Sequence, residues 1–238
     1  QLEGFAAKGD EDKVYLLKKA LHGLKQASRA RYSRINKYLL KLGFVKSLSD
    51  STLYVKGDND NFLVVSLYVD DLLVTGSNIE LIQQLKEDIM RVFEMIDLGE
   101  MSYFLIIEIK QRQNEIFIIQ QKYAKEILKK FHMNKCKSMS TPMCQKEKLC
   151  KDDGTAKVDG SEYRSLVGCL MYLTATRPDI MYVVSVLSRF MNCANESNLR
   201  TTKRVLRYVK ETIIFGVKFC LTPSVELQGY SNNDWSDL

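Results

Sequence analysis

From Phe62 to Val74 the chain reads Phe-Leu-Val-Val-Ser-Leu-Tyr-Val-Asp-Asp-Leu-Leu-Val, an apolar stretch interrupted by two adjacent carboxylates, Asp70 and Asp71. Charge within such a run is costly unless a metal, a partner or solvent compensates it. A strand from Phe62 to Tyr68, a tight turn at Val69-Asp70-Asp71 and a return strand from Leu72 to Thr75, closed by Gly76, meets that demand. Side chains alternate across a strand, so only a turn lets Asp70 and Asp71 converge. A converging pair of carboxylates suits hard divalent cations, and two-metal phosphoryl transfer is the chemistry that uses it. Aspartate is also an ordinary turn residue, so the pair by itself does not select catalysis.

The charge around this hairpin is one-sided. The whole chain has 35 Lys and Arg against 29 Asp and Glu, yet Lys13 to Lys46 contains seven lysines and three arginines with no acid, interleaved with Tyr15, Tyr32, Tyr38 and Phe44. A cationic surface beside a carboxylate pair suits a polyanion, because lysine and arginine neutralise phosphates and release counterions. On charge alone, a solvated helix face whose long stems cover an apolar stripe accounts for the block equally well. Within it, Gly23 marks a turn and Gln26 to Leu42 reads as a helix with Ile35, Leu39 and Leu42 inward. Gly43 can end that helix in the left-handed region.

Several motifs then fall in a recognisable order. Ala20-Leu-His-Gly-Leu-Lys-Gln-Ala-Ser-Arg29, Tyr68-Val-Asp-Asp71, Leu98-Gly-Glu-Met-Ser-Tyr-Phe-Leu105 and Ser140-Thr-Pro142 are followed by Tyr163-Arg-Ser-Leu-Val-Gly168, Tyr172-Leu-Thr-Ala-Thr-Arg-Pro-Asp-Ile180 and Lys203-Arg-Val-Leu-Arg-Tyr208. Along almost its whole length the chain resembles the reverse transcriptase of copia-type LTR retrotransposon Pol polyproteins, and it looks most like a plant copy. That resemblance implies an α+β fold: a polymerase palm of antiparallel sheet with helices, followed by a mostly helical thumb or connection region. It also implies Mg2+ or Mn2+, an RNA or DNA template-primer and deoxynucleotide substrates. By the same resemblance Asp70 matches a metal ligand and Asp71 its acidic neighbour. Gly23, Lys25, Gln26, Arg29 and Tyr68 match positions near the incoming nucleotide and template, and Tyr103, Phe104 and Leu105 match the primer grip.

The chain departs from the family pattern in places. Leu2 stands where the family has Pro, His22 where it has Tyr, Ser28 where it has Pro, Arg31 where it has Trp, and Ile106 where it has Gly. A strand glycine often marks close backbone approach, so a branched side chain at Ile106 is expected to push a primer away. The family's third catalytic carboxylate lies upstream of the segment matched by Gln1 to Phe5. The first residue is Gln rather than Met, as in a piece of a longer polyprotein, and the chain alone is expected to be inactive. Gly229 to Trp235 resembles the start of a ribonuclease H domain, with Asn232 where the first catalytic Asp would fall.

Organisation follows from periodicity and composition. We read residues 1–134 as partial fingers and palm, 135–160 as a polar linker, 161–222 as the helical region and 223–238 as the truncated ribonuclease H-like start. Helices are expected at Ile79 to Phe93, with Ile82, Leu85, Ile89 and Val92 inward and Ser77 or Asn78 as cap, and at Lys122 to Phe131. Three more are expected at Glu162 to Ala175, Pro178 to Met191 and Asn198 to Lys210. Tyr103 to Lys110 and Glu115 to Gln120 read as a hairpin, and Thr212 to Cys220 and Val225 to Tyr230 as closing strands. Arg200, Lys203, Arg204, Arg207 and Lys210 give the last helix a basic face that suits a nucleic-acid backbone and equally an ordinary solvated surface.

Other classes find little support. No apolar run approaches the roughly 18 residues of a membrane span, and no secretory leader is evident, so an intracellular, cytoplasmic or nuclear setting is expected. The six cysteines include no C-x-x-C pair; His132, Cys136, Cys144 and Cys150 fit no standard zinc spacing, the thiols are read as reduced, and Cys169 and Cys193 are read as small core residues. The main alternative to an RNA-directed DNA polymerase is a catalytically inactive nucleic-acid-binding remnant of a transposon.

Overall fold

The computed structural model describes residues 25–57, 61–144, 149–151 and 153–221. Gly23, the side chain of Lys25, the strand expected at Val225 to Tyr230 and Asn232 therefore lie outside the described residues. The described residues fall into two compact units, divided between Asp97 and Leu98, and the fold of each is α+β.

In the first unit, α1 (Lys25–Lys41) leads into an antiparallel sheet of β1 (Val45–Lys46), β2 (Leu53–Gly57), β3 (Phe62–Tyr68) and β4 (Asp71–Gly76), in that spatial order, followed by α2 (Ile79–Val92). Alternation along β3 buries Leu63, Val65 and Leu67 on one face, where they meet Ile35 and Leu39 of α1 and Leu85 and Ile89 of α2 in a single core. Both helix ends obey local chemistry. Gly43 takes φ +86, and the amides of Gly43 and Phe44 bond the Leu40 and Leu39 carbonyls, the paired pattern of a Schellman cap. Asn78 caps α2 by accepting from the amides of Glu80 and Leu81. Val92, expected inward, is instead exposed, because the last turn of α2 has already left the sheet and Phe93 takes its place against Tyr38. Gly76 closes β4 where a Cβ would stand 2.5 Å from the Phe62 carbonyl oxygen, so the ladder there admits only glycine.

The second unit pairs another antiparallel sheet, β5 (Tyr103–Phe104), β6 (Ile107–Arg112), β7 (Glu115–Ile119) and β8 (Val217–Cys220), with helices α3 (Gln121–Lys130), α4 (Gly160–Leu173), α5 (Met181–Ser188) and α6 (Glu196–Glu211). The core lies among the helices: Ile127 and Leu128, Tyr163, Leu166 and Leu170, Val183 and Leu187, Val205, Leu206 and Val209 pack in one cluster. Cys169 and Cys193 are partly buried against it. The helix expected from Pro178 to Met191 is shorter, a 3-10 turn over Pro178–Ile180 followed by α5. Arg177 is buried beneath that turn and fully engaged. Its Nε and Nη2 donate to the two Asp179 carboxylate oxygens at 2.8 and 2.6 Å, and Nη2 and Nη1 donate to the Thr212 hydroxyl and carbonyl at 2.6 and 3.1 Å. The start of the α5 segment is thereby tied to the end of α6.

The strand expected from Tyr103 to Lys110 is broken. Tyr103 pairs with Glu108 and Phe104 with Ile107, so Leu105 and Ile106 form a two-residue turn with φ +48 and +64. Positive φ at both central positions is the type I′ pattern, in which glycine or asparagine is favoured. Nothing in Phe104-Leu-Ile-Ile107 marks such a turn by composition. The described part of residues 135–159 forms no helix and only one isolated bridge, Lys157 with Asn195, and α4 begins at Gly160. The Met139 amide bonds the Arg207 carbonyl of α6, and the Lys210 ammonium bonds the Cys136 carbonyl at 2.6 Å.

Candidate functional site

The apolar body of β3 and β4 is half-buried or buried, and the pairing ends at Tyr68 opposite Asp71. The turn is therefore Val69-Asp70, and Asp71 is the first residue of β4 rather than part of the turn, because the ladder closes one residue earlier than sequence alone indicates. Val69 occupies φ +49, an outlying conformation for a β-branched residue. Tyr68, Val69, Asp70 and Asp71 are all exposed at the tip. Asp70 is ion-paired with Arg31 of α1, with the two side chains 55% and 45% exposed.

The basic block is less free than its charge implies. Arg34 donates to the Val92 carbonyl at 3.2 Å and lies over the Phe93 ring. Lys46 donates to the Tyr32 hydroxyl at 2.7 Å, and the buried Tyr54 hydroxyl donates to Asn36 Oδ1 at 2.6 Å, tying α1 to the sheet. The hydrogen bond from Lys46 holds the Tyr32 phenol below its ordinary pKa, while burial pushes that of Tyr54 up. Tyr32, Tyr38 and Phe44 thus pack internally. Gln26, Arg29, Lys37 and Lys41 remain exposed along α1.

In the second unit, Tyr103 and Phe104 form β5, the Lys122 ammonium sits 5.2 Å from the Tyr103 ring, and the Leu105 carbonyl accepts from the Tyr172 hydroxyl at 2.6 Å. On α6, Arg200, Lys203, Arg204 and Arg207 line an open groove of about 420 Å3 with Met133, Cys136, Leu199 and Glu196, the last ion-paired with Arg200 at 3.8 Å. Arg200 and Lys203 are exposed, whereas Arg204 is half-buried and donates to the Thr141 hydroxyl at 2.8 Å. Lys210, counted on the basic face, turns instead to the Cys136 carbonyl.

Residues 1–145 match the reverse transcriptase (RNA-dependent DNA polymerase) family. The chain belongs to that family. Over 236 residues, 99% of its length, the chain is 39% identical to the retrovirus-related Pol polyprotein from transposon RE1 of Arabidopsis thaliana. It is 35% identical over 245 residues to the corresponding polyprotein from transposon TNT 1-94 of Nicotiana tabacum. It spans only 16% and 18% of the length of these two relatives. An uncharacterized mitochondrial protein of Arabidopsis thaliana is 43% identical over 171 residues, 71% of the chain and 70% of that protein. No solved structure matches. The motifs and these relatives together place it among copia-type Pol polyproteins.

The donors at the hairpin tip fit a hard divalent cation in kind, being exposed carboxylate oxygens on consecutive residues. In number they fall short of a complete shell, since among the described residues no group of three or more His, Cys, Asp or Glu side chains converges. Among the described residues no helix is long and apolar enough to cross a membrane. Sequence reasoning missed Arg31 as the partner of Asp70 and Tyr172 as the support of the Leu105 turn. Neither partnership has a local sequence signal, since each joins residues far apart in the chain.

Proposed function

We propose that this chain supplies the carboxylate-bearing hairpin and the cationic α1 helix of a template-primer site, with residues 1–134 acting as partial fingers and palm and 161–222 as thumb or connection. The observation that carries this reading is the tip itself: Asp70 and Asp71 stand exposed and adjacent at the end of an antiparallel pair whose body is packed into the core. The reaction it supports is transfer of a deoxynucleotide to a primer 3′ hydroxyl. Asp70 and Asp71 would hold Mg2+ or Mn2+, which when bound activates the attacking hydroxyl and stabilises the leaving oxygen.

The remaining work falls to the chain's own residues. Exposed Gln26 and Arg29, with Gly23 and Lys25 before them in sequence, meet the template and the nucleotide phosphates, and Tyr68 flanks the carboxylates. Tyr103, Phe104 and Leu105 position the primer end. Arg200, Lys203 and Arg207 follow the nucleic-acid backbone, while Arg204 shares its guanidinium with Thr141.

A second reading, binding without chemistry, is favoured by one observation: the first carboxylate, Asp70, is already ion-paired with Arg31. Primer extension on an RNA template with Mg2+ and all four deoxynucleotides separates the two. Extension that disappears in Asp70→Asn supports the polymerase reading, and extension that survives that change removes Asp70 from the chemistry. Salt-sensitive duplex binding without any extension favours the second reading.

A further inference from the structure

We propose that Arg31 is a built-in counter-ion that competes with a divalent cation for Asp70. The inference rests on the reading of Asp70 and Asp71 as cation ligands. Of Arg31, Arg34 and Lys46 in the basic block, two are committed elsewhere: Arg34 to the Val92 carbonyl and the Phe93 ring, and Lys46 to the Tyr32 hydroxyl. Arg31 alone of the three reaches the tip, where its Nη1 is paired with Asp70 Oδ1.

A guanidinium in that position takes a lone-pair direction on the carboxylate that an inner-sphere cation needs. It also places a like charge within a few ångströms of where the cation would sit. Both side chains are about half exposed, so the ion pair itself is weak and the repulsion is softened by solvent. The two effects together weaken cation binding by about tenfold, enough to matter and small enough for a phosphate or a high cation concentration to reverse. The mechanism is a competition between two positive groups for one oxygen and involves no change in the fold.

Mn2+ titration followed by electron paramagnetic resonance tests this on the whole chain, with circular dichroism confirming that each variant is folded. Arg31→Gln is expected to bind Mn2+ about tenfold more tightly than the parent, Arg31→Lys to stay within about threefold of it, and Lys37→Gln, an equal charge loss elsewhere on α1, to change affinity by less than about twofold. The gain in Arg31→Gln must vanish when Asp70→Asn is added. Equal tightening by Arg31→Gln and Lys37→Gln would reduce the effect to net charge and overturn the proposal. Unchanged affinity in Arg31→Gln, with binding still lost in Asp70→Asn, would overturn the role of Arg31 and leave the ligand reading standing. If no variant shows binding that depends on Asp70, both fall.

Discussion

The Tyr172 hydroxyl on α4 donates to the Leu105 carbonyl at 2.6 Å, so a helix side chain holds the turn between β5 and β6 from outside. The Tyr172 ring is itself fixed edge-on to Tyr123, with centroids 5.3 Å apart. The turn needs such support because its second residue, Ile106, is β-branched and sits at φ +64. The position is a left-handed turn position, which glycine adopts without steric cost, and not the interior of the strand that sequence predicts.

Replacing Ile106 by Gly is therefore expected to raise stability by about 0.5–1 kcal/mol, the relief of left-handed strain less the added freedom of the unfolded chain. Tyr172→Phe is expected to lower it by about 1 kcal/mol. Urea unfolding of the two variants measures both, and destabilisation by Ile106→Gly would mean that packing of the isoleucine outweighs its strain.

Val69 offers a parallel test at the other hairpin. It is 76% exposed, so little packing is lost when it is changed, yet it carries φ +49. Val69→Gly should gain about 1 kcal/mol in stability. Amide hydrogen exchange at Tyr68 and Asp71 is expected to speed up in the same variant as the tip loosens; unchanged exchange with unchanged stability would show that this backbone is not strained.

The Arg177 cluster predicts the response to acid. Burial alone would raise the Asp179 pKa, but the hydrogen bonds and charge of Arg177 outweigh it and hold the carboxyl below its ordinary value of 3.8. A pKa depressed on folding gives stability that is fully present above 3.8 and is lost as pH falls through the folded value. Asp179→Asn should thus flatten the acid limb of a stability–pH profile below pH about 4. Arg177→Met, which strands the buried partners, should cost about 3–5 kcal/mol at neutral pH by chemical denaturation.

Charge on α6 has its own signature. If Lys203 and Arg207 neutralise phosphates, Lys203→Gln and Arg207→Gln will each reduce the slope of log affinity against log salt by about one, with little dependence on duplex sequence. Fluorescence anisotropy at several salt concentrations reads this directly, and an unchanged slope in both variants would assign the face to solvent.

Much of the first unit was legible because its signals are local. The stripe Ile35, Leu39 with Gly43 after it, the Asn78 cap before Ile82 and Leu85, and the apolar alternation of β3 each specify an element within one or two turns of chain. The carboxylate tip was legible as a motif for the same reason. What escaped were partnerships set by tertiary approach: Arg31 with Asp70, Tyr172 with Leu105, Arg177 with Thr212, and the internal use of Arg34 and Lys46. The Leu105-Ile106 turn escaped because its residues have strand propensity and the conformation is imposed from α4. Counting charges in the basic block overstated its free surface, since hydrogen bonding within the fold is invisible to composition.

The exposure of the hairpin tip separates what keeps this protein folded from the carboxylates proposed to hold a cation. Leu39, Tyr54 and Val65 are buried completely, whereas Tyr68, Asp70 and Asp71 lie at the surface and contribute nothing to that core. Substitution of the carboxylates is therefore expected to spare the architecture, whereas substitution in the core is not. The tip can drift one base at a time while the chain still folds, so whatever the tip binds would be lost before the shape.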